Sequence, residues 1–158
     1  MTTIGFENLK EELIKYGILL VNQYKARLKQ DETYATGRTA DSIIYKTTED
    51  ELNIISALAL KYIDESRGPG LPPPRSQILQ WVKAKNIKPY KKGISEWYMV
   101  KKIAEKIAEK GTIERFLYKG SGIIDFVYQS NKEEILSNLF EAYGRDIDLV
   151  IQDIVNRK

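Results

Sequence analysis

The N-terminal part of the chain repeats apolar positions with the period of an α-helix. Between residues 5 and 30, large apolar side chains recur at steps of three and four: Phe6, Leu9, Leu13, Tyr16, Leu20 and Tyr24. This spacing places them on one face of a helix. Glutamates lie early in the segment and basic residues lie late, which suits the helix dipole. We therefore predict one long amphipathic helix that packs into the core and has length left to meet another subunit.

A polar link and a hairpin follow this helix. Residues 31–41 are mostly polar, and Gly37 can take a backbone conformation that other residues avoid. Residues 43–47 and 51–60 have the pattern of two strands joined by a turn at 48–50. The second strand carries apolar side chains on both faces: Leu52, Ile54, Leu58 and Leu60 on one, Ile55, Ala57 and Ala59 on the other. We expect a sheet covered on two sides, as in an α/β sandwich.

Proline dominates the next segment. Four of the five prolines of the chain fall between residues 69 and 74. Each one fixes φ and removes a backbone donor, so residues 61–75 are predicted to form a stiff, extended arm. A short helix with Ser76 as its N-cap follows the arm. Residues 83–93 then form a loop rich in positive charge: Lys83, Lys85, Lys88, Lys91 and Lys92.

The most regular helical pattern spans residues 95–110. Ser95 is a suitable N-cap, and Gly111 is placed to end the helix. Its apolar positions form one stripe that is predicted to be buried: Trp97, Val100, Ile103, Ala104, Ile107 and Ala108. Residues 112–120 alternate well enough for a strand or an extended excursion.

The C-terminal part is predicted to end in a helix. Residues 123–129 fit either a strand or a helical turn, and Asn131 with Glu134 three residues later matches a capping box. Gly144 is expected to kink this helix. Its apolar side chains are expected to close the domain: Ile135, Leu139, Phe140, Tyr143, Ile147, Val150, Ile151 and Ile154.

These elements predict an α/β (α+β) protein with a small antiparallel sheet packed against the long N-terminal helix and a second helix, followed by a C-terminal helix. A chain of 158 residues suits a single domain over 1–158, with 61–93 inserted in it as arm, short helix and basic loop. No apolar run approaches the roughly 20 residues of a membrane span, and no leader pattern opens the chain. We expect neither a membrane anchor nor secretion.

The composition restricts the chemistry. The chain has no cysteine and no histidine, which excludes disulfides, thiolate nucleophiles and histidine bases. Neither phosphate-cradling glycine loops nor a recognisable nucleophile–base pair is present. We expect no enzyme, no cofactor and no resident metal. The alternative that remains open is a carboxylate nuclease that would use Mg²⁺ and an acid such as Asp146.

Charge is distributed unevenly along the chain. The net charge is +3, but residues 61–120 carry +8, while the segments before and after carry −2 and −3. A basic middle part is compatible with nucleic acid nearby. It is equally compatible with docking of one copy's basic face on a neighbour's acidic face.

Three stretches, in this order, resemble one family, the phage tail-completion (head–tail joining, neck) proteins. Residues 36–43 (TGRTADSI) are similar to the signature that follows the first helix of that family. Residues 62–81 resemble its Gly-Pro-rich arm, in which two prolines precede an Ile-x-x-Trp-Val helix. Residues 103–112 (IAEKIAEKGT) are similar to its late helix, which ends in a Gly-Thr turn.

The resemblance implies a tail-terminator-like fold and a structural virion protein at the phage head–tail junction. Such a protein is assembled in the host cytoplasm and works in the virion as a homo-oligomeric ring of six or twelve copies. It contacts the adjacent portal or connector and tail proteins, and DNA can pass through the ring. A stiff arm loses little entropy on docking to the next copy. The residues expected at the subunit contact are Arg67, Leu71, Pro72, Pro73 and Trp81, with Arg115 and Tyr118 as second choices.

A small basic DNA-binding protein is the alternative. The residues expected to contact phosphates in that case are Lys85, Lys88, Lys91 and Lys92. No regular aromatic ladder for base stacking accompanies them in the sequence.

Overall fold

The computed structural model describes residues 6–30, 36–116 and 119–157, with the backbone alone described over 113–116. Six helices and two strands occupy these ranges: α1 (Glu7–Gln30), α2 (Arg38–Asp41), β1 (Ile44–Thr47), β2 (Leu52–Ile55), α3 (Ala59–Glu65), α4 (Arg75–Ala84), α5 (Glu96–Phe116) and α6 (Ile123–Asn156). The mostly helical architecture with one small antiparallel sheet confirms the α+β class. No helix in the described ranges combines the length and apolarity that crossing a membrane requires.

The chain forms two compact units. Unit one comprises residues 1–27, 41–56 and 123–158, and unit two comprises residues 28–40 and 57–122. Unit one thus holds most of α1, the hairpin and α6, whereas unit two holds α2 to α5 without the hairpin. The organisation expected from the sequence, one domain with residues 61–93 inserted, stays a prediction.

In unit one, α1 and α6 pair in antiparallel fashion. Three polar contacts join them: Asn8 with Asp146, Tyr16 with Asn138, and Gln23 with Asn131. Each step forward along α1 matches an equal step backward along α6, which only antiparallel helices allow. Apolar side chains from both helices are buried in this unit: Leu13, Tyr16, Val21 and Tyr24 from α1, and Ile123, Val127 and Ala142 from α6. The prediction of a long N-terminal core helix is therefore confirmed.

The hairpin covers α1 with one face only. Thr48 N–H bonds to Glu51 O at the turn, and Tyr45 packs so close to Gly17 that a Cβ there would overlap its ring. The cross-strand pairs Tyr45↔Ile54 and Thr47↔Leu52 are half-buried, while Ile44 and its partner Ile55 are exposed. The expectation of a sheet covered on two sides is therefore wrong.

The second strand is also shorter than predicted. It ends at Ile55, because β1 begins at Ile44 and offers no partner beyond that pair. Residues 59–65 form α3 instead, a result that agrees with the helix propensity of Ala, Leu and Lys. The predicted arm of 61–75 consequently shrinks to residues 66–74. Helix α4 begins at Arg75 after Pro74 as N-cap residue, so the N-cap predicted at Ser76 is wrong.

Helices α4 and α5 form a hairpin with its own core. Val82, Met99 and Val100 are buried at its centre. The side chains that pack around them come from both helices and from both ends of the connecting loop: Ile78, Leu79, Ile87, Ile94 and Ile103. Because Ile87 and Ile94 are held in this core, the lysines between them sit on an anchored loop.

Helix α5 begins and breaks where the sequence indicates. Ser95 Oγ accepts a hydrogen bond from Tyr98 N–H, and Gly111, at φ 67°, interrupts the helix. Residues 112–116 are helical, so the strand or extended excursion predicted over 112–120 is wrong for 112–116, while 117–118 lie outside the described residues. Trp97 is 52% exposed, so its assignment to the core was also wrong.

Helix α6 runs through two expected boundaries. It is continuous from Ile123 to Asn156 and passes through Gly144 without a break, so no kink occurs there. Asn131 does not cap a helix: it is buried inside α6, where its amide bonds to Gln23 and to Val127 O. The capping-box pattern was misleading because the role of this amide is set by a residue on another helix.

Candidate functional site

The base of the arm is hydrogen-bonded to α5 of its own chain. Arg67 N–H donates to Thr112 Oγ1 at 2.9 Å, and Thr112 N–H donates to Arg67 O at 2.7 Å. Gly70 N–H donates to Ala108 O at 2.8 Å. Within the arm predicted over 61–75, residues 67–70 therefore lie along α5 of their own subunit rather than free for a neighbouring copy. Backbone groups that a free arm would leave to water are satisfied within the subunit.

Two glycines make this close approach feasible. A Cβ at Gly111 would overlap Arg67 O, and a Cβ at Gly120 would overlap Asp64 O. The segment after Gly120 also ends α3, since Ser121 N–H donates to Ile63 O and Gly122 N–H donates to Asp64 O. The last turn of α3, the base of the arm and the end of α5 are thus one hydrogen-bonded structure.

The tip of the arm is the part that remains accessible. Leu71 is 85% exposed, Pro72 is exposed and Pro73 is half-buried. The Arg67 guanidinium donates a hydrogen bond to Leu71 O and lies 5.5 Å from the centre of the Tyr62 ring. It therefore links the tip of the arm to its base. The arm therefore presents a stiff apolar corner rather than a long flexible strand.

The other expected contact residues are dispersed or outside the described part. Trp81 lies on α4, partly exposed, next to Gln80, whose amide oxygen accepts from Arg38. Arg115 lies in the helical turn after Gly111, where only the backbone is described, and Tyr118 lies outside the described residues. The Arg67 side chain bonds directly to Leu71 O, while Trp81 lies on α4.

The loop end of the α4–α5 hairpin combines positive charge with exposed aromatic rings. The four lysines predicted for phosphate contact are all exposed: Lys85, Lys88, Lys91 and Lys92. Tyr90 is 80% exposed, and Trp97 and Tyr98 are also exposed. Lys91 lies 5.9 Å from the Tyr90 ring and Lys102 lies 5.7 Å from the Tyr98 ring. We call this surface the lysine-rich end: Tyr90, Trp97 and Tyr98 with Lys88, Lys91, Lys92 and Lys102.

Acidic residues are scarce around the lysine-rich end. Residues 81–104 contain seven lysines and one acid, Glu96. Glu96 Oε2 lies 3.9 Å from Lys83 Nζ, at the edge where α4 meets α5. Glu105, directly after this range, pairs with Lys102 at 2.8 Å and with Lys101 at 3.8 Å. The positive potential that suits an anionic partner therefore comes from the lysines of residues 83–92.

Helix α6 carries a second apolar face that sequence reasoning assigned to the core. Phe140 is 73% exposed, and the same face continues along the helix. We call this surface the α6 stripe: Leu136, Phe140, Tyr143, Ile151 and Ile154. It extends over roughly 27 Å at 1.5 Å per residue. One signal in the sequence could have revealed it, since the apolar positions of α6 spread over more of the helix circumference than one partner helix can cover.

At its N-terminal end the α6 stripe borders an open groove. Leu9 of α1 contributes one wall, and Phe6 stacks on Tyr143 with 5.4 Å between ring centres. The groove holds about 260 Å³, and its lining is apolar: Leu9, Leu136, Leu139, Phe140 and Tyr143. A groove of this kind can accept a large apolar side chain.

Asp146, the acid considered for metal chemistry, caps a helix. It is buried, and its Oδ1 accepts from Asn8 N–H at 3.1 Å and from Asn8 Nδ2 at 2.6 Å, while Oδ2 accepts from Leu9 N–H at 2.9 Å. Burial would raise the pKa of Asp146, but these hydrogen bonds and the charge of Arg145 outweigh it and hold the pKa below its usual value. Among the described residues, no three acids cluster closely enough to hold a metal ion.

The fold and these surfaces define a small α+β protein whose described surface carries exposed apolar and basic faces. Comparison of the chain with family models, curated proteins and solved structures finds no match.

Proposed function

We propose that this chain is a non-catalytic structural protein of the phage head–tail junction that assembles as a homo-oligomeric ring. The similarity of residues 36–43, 62–81 and 103–112 to tail-completion proteins supports the phage role. The observation that carries the assembly role is the α6 stripe, since exposed apolar side chains repeated along one helix face mark an interaction surface. In this proposal the ring has six or twelve copies and contacts portal or connector and tail proteins in the virion.

The arm tip gives this proposal a second contact. Leu71 and Pro72 project from a base that is already ordered by its bonds to Thr112 and Ala108. Docking of such a tip costs little further conformational entropy. A rigid apolar corner on one subunit and an apolar face on another are the elements that a repeated head-to-tail contact requires.

Self-association tests the proposal directly. Mass photometry and native mass spectrometry of the purified chain, over a dilution series, should detect species of six or twelve subunit masses. Negative-stain images of the same samples should show closed rings with a central channel. A chain that stays monomeric up to the highest concentration, alone and with purified portal and tail components, would contradict the proposal.

The DNA-binding alternative gains support from the lysine-rich end. Exposed Tyr90, Trp97 and Tyr98 beside lysines supply the stacking groups that the sequence pattern did not indicate. Replacing Lys88, Lys91 and Lys92 by Glu should then weaken binding to non-specific DNA. It should also reduce the slope of log Kd against log salt by up to roughly 3, because each lost phosphate contact removes about 0.7–0.9.

The matched control for the DNA test makes the same Lys→Glu changes at three lysines of another surface. Lys46, Lys61 and Lys119 are exposed and lie outside the lysine-rich end. If their replacement by Glu lowers DNA affinity as much as the loop variant does, the binding reports net charge alone. In that case the lysine-rich end is no specific DNA site.

A further inference from the structure

We propose that the α6 stripe of one copy docks on the lysine-rich end of the next copy, with Trp97 as its anchor. This inference rests on the proposed homo-oligomeric function and specifies the interface that builds the ring. Its occupant is a second copy of this chain.

The α6 stripe and Trp97 suit each other as an apolar groove and an aromatic anchor. The α6 stripe offers an apolar groove beside Phe140, and the lysine-rich end offers a tryptophan that is half exposed at the start of α5. Tryptophan and tyrosine dominate binding energy at protein interfaces when they enter an apolar pocket. Ser95 caps the turn that carries Trp97, so the anchor is held on an ordered helix.

The two faces carry net charges of opposite sign. Residues 123–157, which span α6, carry a net charge of −4, whereas residues 81–105, with the acids Glu96 and Glu105 included, carry +5. Glu133 and Asp148 each lie three positions before a member of the stripe, so they border it on the helix surface. Pairing of two α6 helices would bring like net charges together. Pairing of α6 with the lysine-rich end brings opposite charges around an apolar centre.

An interface of this kind can build a ring. The two faces belong to different parts of the chain, so their contact is heterologous, and any open row of docked copies keeps one free face of each kind. Heterologous contacts propagate and close into rings when the rotation between copies allows it. A ring therefore needs no further interface, and the arm tip can support this one.

A mixing experiment separates this interface from others. Phe140→Lys places a positive charge in the α6 stripe, and Trp97→Glu places a negative charge in the lysine-rich end. Because both side chains are exposed, each variant should keep the circular dichroism spectrum and Tm of the parent. Each variant alone should associate on the order of 30-fold more weakly or worse, as expected for loss of an interface anchor. Mixed in equal amounts, the variants should form a dimer that grows no further, since only one intact contact is available.

Two controls match these variants. Leu149→Lys changes an exposed apolar residue of α6 outside the stripe, and Tyr128→Glu changes an exposed aromatic ring that is not a member of the lysine-rich end. Both should assemble like the parent chain.

Each outcome decides a separate question. Normal assembly of Trp97→Glu, with failure of Phe140→Lys, would indicate pairing of two α6 helices and overturn the inference while the ring proposal stands. Normal assembly of both variants would also overturn the inference while the ring proposal stands. A parent chain that never associates would overturn the proposed function, and the inference with it.

Discussion

The carboxylate of Asp146 accepts hydrogen bonds from the backbone N–H groups of Asn8 and Leu9, although these residues lie 138 and 137 positions earlier in the chain. The first N–H groups of a helix have no partner within it and carry partial positive charge. Here a residue of α6 supplies the acceptor for the first turn of α1. The C-terminal helix therefore fixes where the N-terminal helix begins.

Removal of this cap should destabilise the chain. Asp146→Ala leaves two backbone donors and the Asn8 amide without their acceptor in a partly buried place, at a cost of about 1–3 kcal/mol. We expect a drop in Tm of roughly 2–4 °C for each kcal/mol lost. Asp148→Ala, two positions later and exposed, is the control and should change little. Equal Tm values for the two variants would show that the cap contributes nothing.

The stability supplied by Asp146 should depend on pH in a defined direction. Its pKa in the folded chain is lower than the ordinary value of 3.8, so the unfolded chain binds the proton more tightly. The contribution is thus fully present above 3.8 and is lost as the pH falls through the lower folded pKa. Urea unfolding of the parent and of Asp146→Asn, from pH 7 downward, should show a stability difference that is constant above pH 5 and shrinks in acid. A difference that stays constant to pH 2 would contradict this role.

The contact between α5 and the arm base predicts a strong glycine effect. Gly111→Ala must place a Cβ against Arg67 O at a φ of 67°, which L residues rarely adopt. We expect a loss of at least about 2 kcal/mol, because strained backbone and steric overlap add. Gly68→Ala is the matched control, since a Cβ there meets nothing within 4 Å. Chemical denaturation of both variants measures the difference, and similar midpoints would show that the arm base lies elsewhere.

Local signals in the sequence predicted much of the fold. The period of apolar residues gave α1, and Ser95 with Gly111 bounded the regular part of α5. Both succeed because a cap or a break acts within a few residues. The role of Asn131 could not be predicted in this way, since its partner Gln23 lies 108 positions away. Asn131 with Glu134 has the local pattern of a helix N-terminus, although Asn131 lies inside α6.

The candidate surfaces were predicted less well than the fold. An apolar pattern indicates that a helix face gains from being buried, but it does not indicate whether the same chain or another chain buries it. Phe140 and Trp97 therefore read as core residues, although both are exposed in the folded chain. The lysines of the basic loop were placed correctly on the surface, because charged side chains are rarely buried without a partner.

The arm tip gives the last prediction. Arg67→Ala combined with Pro73→Gly should leave the subunit folded. The hydrogen bonds from the arm base to Thr112 and Ala108 come from the backbone of residues 67 and 70, which these substitutions keep. The tip loses the guanidinium that braces Leu71 O and gains freedom at a position that proline had fixed. Ordering the tip on a neighbour then costs more conformational entropy, so ring assembly should require a higher protein concentration. Mass photometry over a dilution series measures this shift.

The control for the arm-tip variant combines Arg157→Ala with Gly68→Ala. Among the contacts described, Arg157 bonds only to Asp153 on α6. Assembly curves that superimpose for the two double variants would remove the arm tip from the interface.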